Sequence, residues 1–301
     1  MQTPTAIALG FFDGVHLGHA ALLRRTRAHA DAQGLRALAL SFDVHPQTAL
    51  GRPTPLLSTP AMREALLRGE FGMDAVEFLH FAGLMRMPWR QFFDEVLRGQ
   101  YQARQLICGY DYRFGAGGEG TAEALAALCE ERGIGCEIVP PVRLDGTVVS
   151  STHIRKLISR GEVAEAARFL GRPYRLTGSV VHGSGLGRTM GTPTANLAAG
   201  ELLLPGRGVY ITRALVGDAA WPAVTNVGER PTVDGSSLRV ESWLPDFDGA
   251  LYGAELALDF FEFLRPERKF DTLEALRAEI MENAEQARAY FAARAESEES
   301  L

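Results

Sequence analysis

Lysine is nearly missing from this chain of 301 residues, with Lys156 and Lys269 standing against 31 lysines and arginines together. Neither follows a glycine-rich loop, which excludes a P-loop with its phosphate-binding lysine. Any phosphate clamp must come from arginine, histidine, backbone amides and metal. Cysteine is scarce as well. Cys108, Cys129 and Cys136 are odd in number and form no Cys-x-x-Cys, a pattern of buried thiols in a reducing cytosol rather than of a disulfide framework. Positive charge is not in excess: the net charge of -6 argues against an extended nucleic-acid face. No apolar run reaches membrane-spanning length, and no basic stretch precedes an apolar one at the start. The expectation is a cytoplasmic protein with no nucleic-acid and no membrane partner, long enough for two domains.

What the chain does have begins at Thr5. Thr5 to Leu9 is apolar and reads as a strand, Leu17 to Gln33 reads as a helix stopped by Gly34, and Arg36 to Phe42 reads as a second strand. Strand, helix and strand make a βαβ unit, whose ligands bind beyond the carboxyl ends of the strands. Leu9 to His19 lies at that end. Gly10, Gly14 and Gly18 allow close approach to the backbone, Asp13 sits in the turn, and His16 and His19 lie near the positive end of the helix. A phosphate fits there, with imidazoles donating to charge that develops on phosphorus. A metal-ligating pair or two capping histidines are the competing readings. His45, before Pro46, either lines the pocket or caps a turn.

A later strand, Gln105 to Cys108, delivers a loop from Gly109 to Gly120 that holds Asp111 and Arg113. It is either a flexible turn or a cradle of amides, guanidinium and rings for a planar ligand. Ala122 to Arg132 reads as a helix and Gly135 to Val139 as a strand. The segment Val148 to Arg155 is expected to close the sheet, with Ser150, Ser151 and Thr152 capping a helix to Ser159 and Arg155 one turn on. A helix from Val163 to Leu170 then ends at Gly171. Beyond it, strand-like runs at 174–181, 208–216, 221–227, 239–244 and 254–263 suggest a closed antiparallel barrel. Between the first two runs lies a turn from His182 to Leu197, holding Gly183, Gly185, Gly187, Arg188, Thr194 and Asn196. Its amides can wrap a phosphate chain while Thr194 and Asn196 offer oxygens to a hard cation such as magnesium. The chain ends in a helix from Asp271 to about Arg294, with a stripe of Leu273, Leu276, Ile280, Ala287 and Phe291.

Taken in order, Gly10 to His19, Gly109 to Gly115 and Ser150 to Arg155 resemble the adenylyltransferase half of prokaryotic bifunctional riboflavin kinase/FAD synthetases. The loop 182–197, Asn226 to Thr232, Val240 to Phe247 and Leu251 to Gly253 resemble the kinase half. The resemblance implies an α/β, Rossmann-like nucleotidyltransferase domain over 1–171. It implies an antiparallel β-barrel kinase domain with a C-terminal helix over 172–301. It further implies ATP as co-substrate, magnesium as cofactor, and riboflavin and FMN as partners. Glu241 would be the kinase base, and His45, Asn226 and Arg230 would contact flavin. Four positions depart from the pattern: Val44 for Pro, Thr121 for an acidic residue or Asn, Trp243 for His and Pro245 for Leu. Two alternatives stay open, an FAD synthetase with an inactive kinase module and a non-catalytic flavin-binding regulator. Flavoprotein clients and an oligomer are left open too.

Overall fold

A computed structural model of the chain describes residues 3–183, 191–232 and 235–299, and the side chains of these except 230–237 and 297–299. It divides into two compact units, 1–151 and 152–301.

The first unit is built on a parallel sheet. β1 (Thr5–Leu9), α1 (Leu17–Gln33) and β2 (Arg36–Phe42) form the βαβ unit with the bounds read from the sequence. Gly34 ends α1 in the left-handed conformation (φ 64°) and donates its N–H to the Ala30 carbonyl. After α2 (Pro60–Gly69), β3 (Ala75–Leu79), β4 (Ala103–Gly109), α3 (Ala122–Arg132) and β5 (Gly135–Val139) complete the order β3-β2-β1-β4-β5. β1, with parallel partners on both sides, is buried on both faces and all its residues are apolar or, at Thr5, β-branched. The strand order reverses direction beside it, so β1 and β4 open the crevice in which such sheets bind ligands. The expectation that 148–155 closes the sheet is corrected. Thr147–Val148 pairs only with Arg143–Leu144 in a separate two-stranded ribbon, because Asp145-Gly146 makes a tight hairpin there. The three cysteines are free; Cys108 and Cys129 are buried.

α4 (Ser151–Ser159) begins at the division between the units, and α5 (Val163–Leu170) belongs to the second. Val163, Ala166, Phe169 and Leu170 are buried, and the Gly206 N–H donates to the Ile158 carbonyl at 2.9 Å, which ties the end of α4 to the barrel. The barrel has six strands: β6 (Tyr174–Val181), β7 (Thr194–Ala198), β8 (Gly208–Val216), β9 (Ala219–Thr232), β10 (Gly235–Trp243) and β11 (Glu255–Arg265). They close in the order β6-β7-β10-β9-β8-β11, all neighbours antiparallel. Inside, the hydroxyls of Thr212, Thr225 and Ser242 bond one another at 2.7 and 2.9 Å. α6 (Leu273–Glu299) starts where the Thr272 hydroxyl accepts from the Ala275 N–H at 3.1 Å. It packs on Val209, Ile211, Val224, Trp243 and Phe261 outside the barrel, through Ala284 and Ala287. Leu273, read as part of that stripe, is instead exposed.

Candidate active sites

In the first unit, Leu9 pairs with Cys108, so Gly10 and Gly109 lie side by side at the carboxyl edge of the sheet. The turn that follows Gly10 is conformationally demanding. Phe12 (φ 56°), Gly14 (φ 78°) and Val15 (φ 40°) all have positive φ, which for Phe and Val costs on the order of 1–3 kcal/mol each. Burial holds them there: Phe12 and Val15 are at most 1% exposed. The Val15 N–H donates to the Phe12 carbonyl at 3.0 Å, and the Gly14 N–H to the Ser58 hydroxyl at 2.8 Å. Asp13 is also buried. Its carboxylate accepts from the N–H groups of Leu57 (3.0 Å) and Ser58 (2.9 Å), so it anchors the turn to 57–58. Its carbonyl accepts from the Ser151 hydroxyl at 3.0 Å, which brings the serine motif onto the first one.

His16 caps α1: its Nδ1 accepts from the His19 N–H at 3.2 Å, which leaves Nε2 of a neutral ring as a donor. The two imidazoles stack, centroids 3.7 Å apart and 12° from parallel, and Phe12 packs edge-on to His19. A Cβ at Gly18 would press on the His16 ring at 3.1 Å, so this glycine makes room for the histidine. The capping reading therefore holds for His16, and a cap of this kind does not exclude the other, since a helix N-terminus is also a place suited to a phosphate. Among the described residues no group of His, Cys, Asp or Glu could hold a metal ion.

The glycine loop after β4 is less open than its composition suggests. A Cβ at Gly115 would run into the Trp89 backbone and one at Gly120 into the Phe114 ring. Phe114 in turn stacks on Tyr112 and meets Trp89 edge-on. These glycines serve an aromatic cluster. Asp111 and Arg113 stay exposed, with Arg113 reaching the Gly118 carbonyl at 3.5 Å. His45 caps the turn at Pro46, accepting from the Gln47 N–H at 3.1 Å, and lays its ring edge against Phe11 at 4.9 Å. Ser150 immediately precedes α4; Thr152 and Arg155 lie on α4 past the division between the units.

One residue escaped the sequence reading. Arg63 on α2 is 0% exposed, and its Nη1 donates to the Phe11 carbonyl (2.8 Å), the Ser41 hydroxyl (3.2 Å) and the Phe42 carbonyl (3.4 Å). Its guanidinium lies over the rings of Phe11 and Phe78. Burial lowers its pKa to about 10 against the opposing pull of Asp13. Arg63 thus ties together the chain leaving β1 and the chain leaving β2. Its one signal in the sequence is spacing: it sits four residues before the buried Leu67, on the apolar stripe of α2.

In the second unit the candidate site is a row rather than a turn. Asn196 on β7 pairs with Glu241 on β10, and Glu241 with Asn226 on β9; Thr194, Trp243 and Val224 form the next row on the same face. This is the outer face, beside α6. A cavity of about 270 Å³ opens there, lined by Thr194, Asn226, Glu241, Trp243, Phe270 and Ile280 among others. A second cavity of about 240 Å³ is lined by Thr194, Ser242, Phe247 and Tyr252 among others. Thr194 borders both. Glu241 is paired with Arg239, Nη1 to Oε1 at 2.5 Å, and the Asn226 side-chain amide donates to Glu267 at 3.3 Å. Asn196 is 6% exposed and its Oδ1 is a buried acceptor that receives no hydrogen bond among the described residues. A side chain at Gly183 would collide with the Asn196 amide, so the glycine keeps that space clear. Gly185, Gly187 and Arg188 lie outside the described residues, as does the side chain of Arg230. The segment 194–198, read as part of a ligand loop, is strand β7.

Two family models match the chain, FAD synthetase over residues 1–153 and riboflavin kinase over residues 170–291. The chain belongs to the bifunctional riboflavin kinase/FMN adenylyltransferase family. The protein of that name from Listeria monocytogenes is 34% identical over 95% of this chain and 92% of its own length. The one from Pseudomonas fluorescens is 36% identical over 94% of this chain and 92% of its own. A crystal structure described as the macrolide-efflux protein of Streptococcus pneumoniae superposes with a TM-score of 0.87 at 31% identity, covering 96% of this chain and 95% of that one. Its architecture is shared, while its name stays with that protein. Among the described residues no helix is long and apolar enough to cross a membrane.

Proposed function

We propose that the family activity is carried by the two sites as follows, with residues 1–171 as the adenylyltransferase module and 172–301 as the kinase module. Riboflavin and ATP react on the barrel to give FMN and ADP. FMN and a second ATP react at the sheet edge to give FAD and pyrophosphate. Both steps take place in the cytoplasm.

In the kinase step the cavity beside α6 takes the flavin, with Trp243, Phe270 and Ile280 against the ring system and Asn226 at a polar edge. The neighbouring cavity takes the nucleotide. Glu241 accepts the ribityl hydroxyl proton, a role worth about 10² to 10⁴ in rate. The donor set at Thr194 and Asn196 fits a hard cation: a hydroxyl and an amide oxygen, the latter buried and receiving no hydrogen bond among the described residues. Magnesium bound there would neutralise charge on the transferring phosphate. In the adenylyl step the FMN phosphate is already anionic, and no general base is required. His16, His19 and the amides of the turn 10–16 donate to charge on the α-phosphate and on the departing pyrophosphate. Ser150, Ser151, Thr152 and Arg155 extend that grip, and Asp13 and Arg63 hold the turn in shape.

The observation that carries the reading is Thr194, bordering two cavities at a point one row from Glu241. That is where a hydroxyl in one cavity meets a phosphate in the other. The test is purified protein with riboflavin and MgATP, FMN and FAD being followed over time. Transient FMN followed by FAD is expected; FAD from FMN without FMN from riboflavin would mean an inactive kinase module.

A further inference from the structure

Glu241 has a partner that its role as base does not require. Arg239 lies two residues earlier on β10, so both side chains project from the same face of the strand. Its Nη1 donates to Oε1 of Glu241 at 2.5 Å, and this is the carboxylate's hydrogen-bond partner among the described residues. Of its in-register neighbours, Asn226 does not compete for it, since the Asn226 amide is turned to Glu267. With side chains 20% and 27% exposed, a single-contact ion pair of this kind adds little to stability. Among the described residues only one carboxylate oxygen is engaged, although arginine could grip both. Both features suit a pair that orients one group and leaves the other oxygen available.

We propose that Arg239 is a positioning residue for phosphoryl transfer: by holding Oε1 it sets the rotation of the Glu241 carboxylate and leaves Oε2 to meet the substrate hydroxyl. The inference rests on the reading of Glu241 as base. The terminal torsion of a glutamate is broad when unrestrained, and a base that drifts loses the alignment on which proton transfer depends. In the step served, the ribityl O–H bond breaks and the proton goes to Oε2. The oxygen's electron pair forms the bond to the γ-phosphorus, and the bond from that phosphorus to the β–γ bridging oxygen breaks, its electrons leaving with ADP.

The test compares initial rates of FMN formation for the full chain and for Arg239→Ala, Arg239→Lys, Glu241→Gln and the double variant Arg239→Ala/Glu241→Gln. FAD formation from added FMN and thermal unfolding serve as controls. Arg239→Ala should lower kcat by about tenfold with KM for riboflavin and MgATP within about twofold, the signature of misplaced chemistry rather than lost binding. Arg239→Lys, with a single ammonium in place of a planar fork, should recover part of the loss. In the Glu241→Gln background Arg239→Ala should change the residual rate by less than about twofold, since the acceptor it positions is gone. An unchanged kcat for Arg239→Ala, or the same fold loss in both backgrounds, overturns the proposal. A near-normal rate for Glu241→Gln alone overturns the base assignment instead, and that outcome is read without any Arg239 variant.

Discussion

The two candidate sites of this chain are made in opposite ways. At the sheet edge, one contiguous turn supplies Gly10, Gly14, His16 and His19, and its shape is forced by neighbours: Phe12 and Val15 sit at positive φ under full burial, with Asp13 and Arg63 holding either side. On the barrel, Asn196, Glu241 and Asn226 come from three strands and meet through register alone. A turn-made site depends on its supports, so changes behind it should reach the chemistry. A row-made site depends on each side chain in the row, and each should fail by itself.

The largest effect expected is at the turn. His19→Ala should lower FAD formation from FMN by about 10² to 10³, the loss typical of one donor to developing charge, and leave FMN formation unchanged. Parallel assays of the two half-reactions decide it, and loss of both in a folded protein would mean that the sites are not separate. Arg63→Met should come next, since it strips hydrogen bonds from the Phe11 and Phe42 carbonyls and the Ser41 hydroxyl, at about 1–3 kcal/mol for a buried group left unpaired, although the Ser41 hydroxyl still donates to the Phe11 carbonyl at 2.8 Å. Adenylylation should fall although Arg63 meets no substrate in this reading, while the kinase rate holds. Denaturant unfolding beside both assays separates the two effects. Thr194→Ala should raise KM for MgATP and lower the kinase rate, about tenfold together, without touching FAD formation from FMN.

The smallest effect concerns pH. Glu137 on β5 is desolvated, which alone would raise its pKa, but hydrogen bonds from His29 and Arg25 on α1 outweigh this and hold it below 4.5. A carboxylate depressed in the folded state contributes stability above its unfolded pKa and loses it as pH falls through the folded value. Stability of the wild type should therefore decline on acidification below about 4.5, and Glu137→Gln should flatten part of that decline. Thermal unfolding at a series of acidic pH values measures the difference.

The same contrast governs what could be read from the sequence. β1, α1 and β2 show clean periods bounded by glycine, and their limits agree with the structure residue for residue. β9 runs from Ala219 to Thr232, longer than the strand read at 221–227, because Gly217 and Asp218 before it and Gly228 and Pro231 at its far end look like breaks, although Pro231 sits in a paired strand. β7 was hidden for a related reason: Pro193 and the short Thr-Ala-Asn run carry the marks of a loop, and only pairing with β6 and β10 makes them a strand. His16 and His19 were visible as a local motif. Arg63 was not, since its importance comes from contacts with residues 52 and 22 positions away. Likewise the Arg239–Glu241 pair is plain in the sequence as spacing, yet its meaning depends on which face of β10 borders the cavity.

Independence of the two sites is tested most directly by complementation. His19→Ala and Glu241→Gln proteins are each given riboflavin and MgATP, alone and mixed in equal amounts, and FAD is measured over time. Alone, the first should accumulate FMN without FAD, and the second should make little of either. Mixed, FAD should form at close to half the wild-type rate per total protein, as FMN made on one barrel is released and adenylylated at another chain's sheet edge. No FAD from the mixture, or appreciable FAD from the His19→Ala protein alone, would contradict the account.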